Sequence, residues 1–267
     1  MDDDNAYAGL LGDDSAQWAF GQDFDDPLAG LDTTVPDGVD PAALAQTCLA
    51  LGDDALVLAQ RLSEWCSRAP DLEDDIALAN IALDLLGQAR LLLTRAAAAD
   101  PSVVPVLPAG SPAPAEDALA FFRDAAELPH DPLGELPNGD FGRTVARLLL
   151  CSARRLALME ELVAGADQVL AAIAAKAIKE LTYHRDWSAR WVVVLAGGTE
   201  ESRARVTAGL AEVWPWWDGV GGEAVGQVLE VAGLSRPPSG PRPPDRYVEP
   251  LLAELQSVAR AHPEGRW

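Results

Sequence analysis

Asn80, Asp84 and Gln88 recur at intervals of four in a segment that is otherwise apolar on nearly every side: Ile76, Leu78, Ile81, Leu83, Leu85 and Leu86. Four residues advance a helix by about 400°, so the three polar groups share one strip that drifts only about 40° per step. A helix apolar all round reads as buried. A polar strip turned into a helical bundle is where such folds hold metals or cofactors. A second carboxylate, Asp54, stands three after Leu51 and four before Leu58, on the inward side of its own segment. Counting outward from the turn at Pro70, Asp54 and Asp84 come within about 3 Å of the same level and can face each other at mid-bundle. Glu180 supplies a third acid, with Tyr183 and His184 one turn further on.

Acids at such spacing suggest a di-iron carboxylate centre. That centre needs a Glu from each of two helices and a Glu-x-x-His from each of the other two, because iron demands dense oxygen donation with His completing each shell. Asp84 is followed by Gly87 and Gln88, with no His; Glu180 is followed by Tyr183, with His184 one residue late. The segment that should face them offers Cys151, Ser152, Ala153, Arg154 and Arg155, and no acid until Glu160. The chain has three His in all: His130, His184 and His262. The set reads as a di-iron site with parts removed. The expectation is therefore a structural polar core of Asp54, Asp84, Gln88, Glu180, Tyr183 and His184, with no catalytic residue, metal or cofactor in this chain. Asp84 is expected to be buried and paired, and Glu180 to be held by Arg154, Arg155 or Lys176. The alternative is a catalytic iron-dependent oxygenase subunit with an atypical site, His184 beside Glu180 being half of a mononuclear one.

Helices must position these groups, and their ends are legible. Asp40-Pro41 is an N-cap followed by proline at the first helical position, opening a helix over 41–67. Asp71, with Glu73, Asp74 and Asp75 in the first turn, opens the second. Eight prolines between residues 99 and 137 read as a long crossover, interrupted by a short helix over 115–128. Asp140 caps a third long helix over 141–163, and Asp167 a fourth that runs to about 195. Gly197-Gly198 ends it, Thr199 starts another, Pro215 interrupts that one among Trp214, Trp216 and Trp217, and shorter helices cover 223–231 and 248–261. The fold class is all-α: a ferritin-like four-helix bundle with a long crossover between its second and third helices and extra C-terminal helices.

Charge and composition narrow the function. The chain has 267 residues, is 49% hydrophobic and carries a net charge of −22, which excludes nucleic acid and anionic membranes as natural partners. Cys48, Cys66 and Cys151 are odd in number and unpaired in spacing, as in a reducing cytoplasm. No uninterrupted apolar run approaches a membrane span, and no signal peptide is visible. Residues 1–40 hold 11 Asp and no Lys, Arg or Glu. They read as a disordered acidic tail, dispensable for folding to about residue 38, with residues 41–267 as the helical domain.

Long blocks of the chain resemble a known family. Leu51-Gly-Asp-Asp-Ala-Leu-Val-Leu-Ala-Gln-Arg-Leu-Ser-Glu-Trp-Cys66, the stretch Asp71 to Arg90, Leu136-Pro-Asn-Gly-Asp-Phe141, Lys179-Glu-Leu-Thr-Tyr-His184 with Trp191, and Gly198-Thr-Glu-Glu-Ser202 are similar to the C subunits of bacterial phenylacetyl-CoA 1,2-epoxidases. The resemblance covers roughly residues 41–267. It implies a non-catalytic structural subunit of an O₂- and NADPH-dependent monooxygenase complex in aerobic phenylacetate catabolism. A homologous A subunit would hold the di-iron centre, with a small B subunit and a reductase completing the system. Two features depart from the pattern: the acidic tail, and Pro237-Pro-Ser-Gly-Pro-Arg-Pro-Pro244 where family members usually carry a segment containing Gly and His. Trp187, Trp191, Trp214 and Trp217 are the expected interface residues, since Trp is enriched at interface hot spots.

Overall fold

The computed structural model describes residue 28 and residues 30–265. Among these residues the regular structure is helical throughout. In chain order the helices are α1 (Pro41–Ser63), α2 (Leu72–Ala99), α3 (Ala115–Phe121), α4 (Phe141–Leu162), α5 (Gln168–Gly197), α6 (Glu200–Val213), α7 (Gly222–Ala232), α8 (Val248–Leu255) and α9 (Ser257–Ala261). The four long helices pair as hairpins, α1 with α2 and α4 with α5, and α2 also lies against α5. The long connection between α2 and α4 carries α3, while α6 packs on α4.

Local chemistry sets the helix starts. Asp40 accepts from the backbone N–H of Ala42 at 3.0 Å, Asp71 from Asp74 at 2.8 Å, Asp140 from Arg143 at 2.9 Å and Asp167 from Leu170 at 2.8 Å. Each satisfies an amide that the helix leaves without a partner. The ends were less legible. α1 stops at Ser63 rather than near residue 67, because the chain turns through a left-handed Ser67 (φ 64°) whose N–H donates to Asp75 Oδ1 at 2.7 Å. The helix expected over 115–128 ends at Phe121, and the one over 248–261 breaks at Gln256. The Gln256 amide is turned inward and donates to the carbonyls of Ala120 and Arg123 at 3.1 and 2.9 Å. At the α4–α6 crossing the backbones nearly touch: a Cβ on Gly209 would stand 2.5 Å from Arg143 Cα, so only glycine fits.

Two sequence expectations change. Residues 1–27 and 29 of the expected tail lie outside the described residues. Residues 30–40, however, pack on the helices: Val35 and Val39 lie against the core, and the Thr33 carbonyl accepts from Arg95 Nη1 at 2.6 Å. Two apolar side chains and one buried donor connect this Asp-rich stretch to the helices. Nor is α2 buried all round. Leu72, Ile76 and Leu83 are 69, 52 and 64% exposed, because α1, α3 and α5 cover only one side of it. α1 and α2 each contain a stretch apolar enough to cross a membrane; 72% of that stretch is buried in α1 and 50% in α2.

Candidate functional site: a polar core closed by arginines

α1 contributes two adjacent acids that point in different directions. Asp53, fully buried, is held by both terminal nitrogens of Arg123, one of them at 3.0 Å. Burial pushes its carboxyl up to about 6 in spite of that guanidinium. Asp54 accepts from the Asp131 N–H at 2.5 Å and from Arg154 Nη1 at 2.9 Å. Arg154 also reaches Asp218 at 2.9 Å and Asp131 at 3.7 Å. Burial works to lower its pKa, but these carboxylates outweigh it and hold the guanidinium well above its ordinary value. One side chain of α4 thus ties α1, the crossover and the loop before α7.

Arg155, the next residue, lies wholly inside. It donates to the Leu51 carbonyl and to Gln88 Oε1, both at 3.0 Å, and its Nη1 is 3.9 Å from Asp54 Oδ2. Gln88 passes the contact on, its Nε2 donating to Glu180 Oε2 at 2.9 Å, and Lys176 closes on the other oxygen of Glu180. Burial lowers the pKa of Arg155. The chain Asp54, Arg155, Gln88, Glu180, Lys176 crosses all four long helices, with the Arg155 guanidinium between Asp54 and Gln88.

Several expected groups are brought together and others are not. Asp54 and Asp84 do not meet: Asp84 pairs instead with His184 Nε2 at 3.0 Å, and its side chain is 37% exposed. The expectation of a buried Asp84 is therefore corrected; it is paired at the rim of the α2–α5 contact, where solvent reaches it. Asp84→Ala accordingly should cost about 1–3 kcal/mol in urea unfolding, because it takes the hydrogen-bond partner from Nε2 of the fully buried His184 ring while Asp84 itself is already part-solvated. A loss above about 3 kcal/mol would contradict this placement. Glu180 takes Lys176 from the three candidate cations, while Arg154 goes to Asp54. Tyr183 points outward and takes no part in the core.

The tryptophans divide. Trp187 is buried against Phe141, with ring centroids 6.2 Å apart, so it fills the chain's own core and is unavailable as a contact residue. Trp191 lies 5.0 Å from Phe141 and donates to Asp74 at 2.9 Å. Trp214 and Trp217 stack edge to face, 4.9 Å apart, and remain half-buried. Sequence reading passed over two buried ion pairs, Arg123–Asp53 and Arg95–Asp167, and the buried carboxylate of Glu135, which meets His130 and Arg246. Arg95 had left a signal, standing seven residues past Gln88 on the same side of α2.

The residues do not fit a di-iron centre. Iron needs carboxylates free to coordinate, whereas Asp54 and Glu180 are neutralised by Arg154 and Lys176, and α4 supplies a guanidinium where an acid is required. The space enclosed by Asp54, Asp131, Arg154 and Arg155 is about 20 Å³, room for one water. Among the described residues no three His, Cys, Asp or Glu converge as a metal site.

A family model described as phenylacetic acid catabolic protein matches residues 32–220. The C subunit of 1,2-phenylacetyl-CoA epoxidase from Escherichia coli (strain K12) is 46% identical over 166 residues, which cover 62% of this chain and 62% of that relative. The alignment thus spans less than two thirds of the relative's length. The family match begins within the segment that packs on Arg95 and runs through all four long helices to the loop before α7. This chain belongs to the phenylacetic acid catabolic protein family.

Proposed function

We propose that this chain is a non-catalytic structural subunit of a cytoplasmic, multicomponent di-iron monooxygenase that epoxidises phenylacetyl-CoA in phenylacetate catabolism. Its fold is read as a ferritin-like four-helix bundle, and the iron belongs to a homologous catalytic A subunit. A small B subunit and a reductase complete the hetero-oligomer. The observation that carries the reading is Arg155: a buried guanidinium spans the core between Asp54 and Gln88, where a catalytic bundle needs carboxylates and metal. An arginine cannot lose its charge at any working pH, so it repels a divalent ion from this position permanently.

Two measurements test it. Anaerobic loading of the purified chain with ferrous iron, followed by elemental analysis, should leave well under one iron per chain. About two per chain would establish a catalytic bundle instead. Epoxidation of phenylacetyl-CoA should appear only when the catalytic subunit and reductase are added. Turnover by this chain with reductase alone would overturn the assignment.

A further inference from the structure

α2 carries an apolar stripe that its own chain leaves uncovered. Leu72, Ile76, Ala79, Leu83 and Leu86 follow one another at spacings of four, three, four and three, and all are exposed. That is the seam spacing of a helix meant to pack against another helix. The inward side of the same helix is already used by the core. Arg90, next in the series, is the sole charged side chain on the stripe, in a chain of net charge −22.

α5 extends the same surface. It runs antiparallel to α2, fixed by Asp74–Trp191, Asp84–His184 and Gln88–Glu180 in descending order along α5. At 100° per residue, Ile76 and Leu83 are the stripe residues nearest the side of α2 that borders α5. The chain's only two lysines, Lys176 and Lys179, lie on α5, and Lys179 and Arg190 are exposed without an ion pair among the described residues. Tyr183 and Val194 are exposed between this basic edge and α2. The face is thus apolar along α2, acidic at its start through Asp71 and Glu73, and basic along α5. Two helices about 40 Å long and 20 Å across present about 800 Å², one partner's share of a standard interface.

A second copy laid with α2 on its own α2 fits that face poorly. A two-fold axis across α2 would lay α5 on α5 and set Lys179 and Arg190 against themselves. An axis along α2 would set Asp71 and Glu73 against their own copies. Either way like charges meet at the rim. We propose that the α2–α5 face docks a non-identical helical subunit, one presenting an apolar helix to α2 and an acidic rim to α5. Resting on the function proposed above, that partner is the catalytic subunit of the epoxidase.

The test is co-purification of the full chain with a tagged catalytic subunit of a phenylacetyl-CoA epoxidase. The variant is Ile76→Lys with Leu83→Glu, which leaves net charge unchanged at two exposed positions. The wild type should be retained, and the variant should lose affinity about tenfold or more with its thermal midpoint unchanged. Val231→Glu, at an exposed position on α7, should bind as the wild type does. Lys179→Glu with Arg190→Glu should weaken binding most at low salt. Equal retention of wild type and the α2 variant would overturn the face while leaving the subunit assignment standing. Failure of the wild type to bind would overturn both. A free chain that sediments as a dimer, dissociated by the α2 variant, would make the occupant a second copy and end the proposal.

Discussion

Arg95→Ala should lower the stability of the folded chain by about 3–5 kcal/mol, since it removes one partner of a buried ion pair. Arg95 is almost fully buried on α2. Its Nε donates to Asp167 Oδ1 at 3.1 Å, its Nη2 to the other oxygen, and its Nη1 to the Thr33 carbonyl at 2.6 Å. Asp167 is itself buried and caps α5 through the Leu170 N–H. Truncating Arg95 strands a carboxylate and a carbonyl together, at a point where the N-terminal segment, α2 and α5 meet. The double variant Arg95→Met with Asp167→Asn removes both charges, keeps a capping oxygen, and should recover most of the loss. Urea unfolding with an unchanged m-value is the measurement. A loss for Arg95→Ala below about 1 kcal/mol would show that the pair contributes little. Deleting residues 1–38 takes away the Thr33 acceptor and Val35 as well, so it should lower the melting temperature by several degrees rather than leave it untouched.

The difference between that truncation and the dispensable tail read from sequence has a physical origin. Composition averages over a segment, and 11 Asp in 40 residues overwhelm the average. Docking depends on individual groups, here Val35, Val39 and one carbonyl. The helix starts were legible because capping is local: an Asp and the amide two or three residues on contain the whole interaction. The polar core was legible in part. Counting residues from a turn fixes height along a helix but not rotation about it. Asp54 and Asp84 therefore share a level without meeting, and adjacent Arg154 and Arg155 both reach Asp54 but go on to different partners, Arg154 to Asp131 and Asp218 and Arg155 to Gln88. The stripe on α2 was misread for a related reason. Apolar periodicity records which residues shun water, but not whether the covering surface belongs to the same chain. Ile76, Leu83 and Leu86 count toward a buried helix on that reading, and their exposure is what a partner surface looks like from one side.

Glu135→Gln should remove about 3 kcal/mol of stability at neutral pH and flatten the acid limb of the stability profile. Glu135 is fully buried in the crossover. His130 Nε2 contacts Oε2 at 2.6 Å, Arg246 Nε donates to Oε1 at 2.9 Å, and the Tyr247 N–H donates to Oε1 at 2.9 Å. The carboxylate thereby fastens the segment after the proline-rich stretch, and the start of α8, to the crossover. Burial alone pushes its pKa up. The His130 hydrogen bond, Arg246 and the Tyr247 N–H together outweigh that and hold it at about 2. A carboxyl depressed in the folded state contributes its full stabilisation above the ordinary Glu value of about 4.3, and loses it as pH falls toward 2. A depression of rather more than two units corresponds to the 3 kcal/mol, each unit being about 1.4. Asp53 runs the other way. Pushed up to about 6, its effect favours the fold most below the ordinary Asp value and fades as pH rises through 6. The two contributions therefore occupy different windows. Between pH 5 and 2 the wild type should lose about 2–3 kcal/mol more than Glu135→Gln does, while between pH 5 and 6 the two profiles should run parallel. Chemical unfolding at half-unit pH steps reads both windows. Parallel profiles below pH 4 would mean that the carboxylate of Glu135 is not what holds α8 to the crossover.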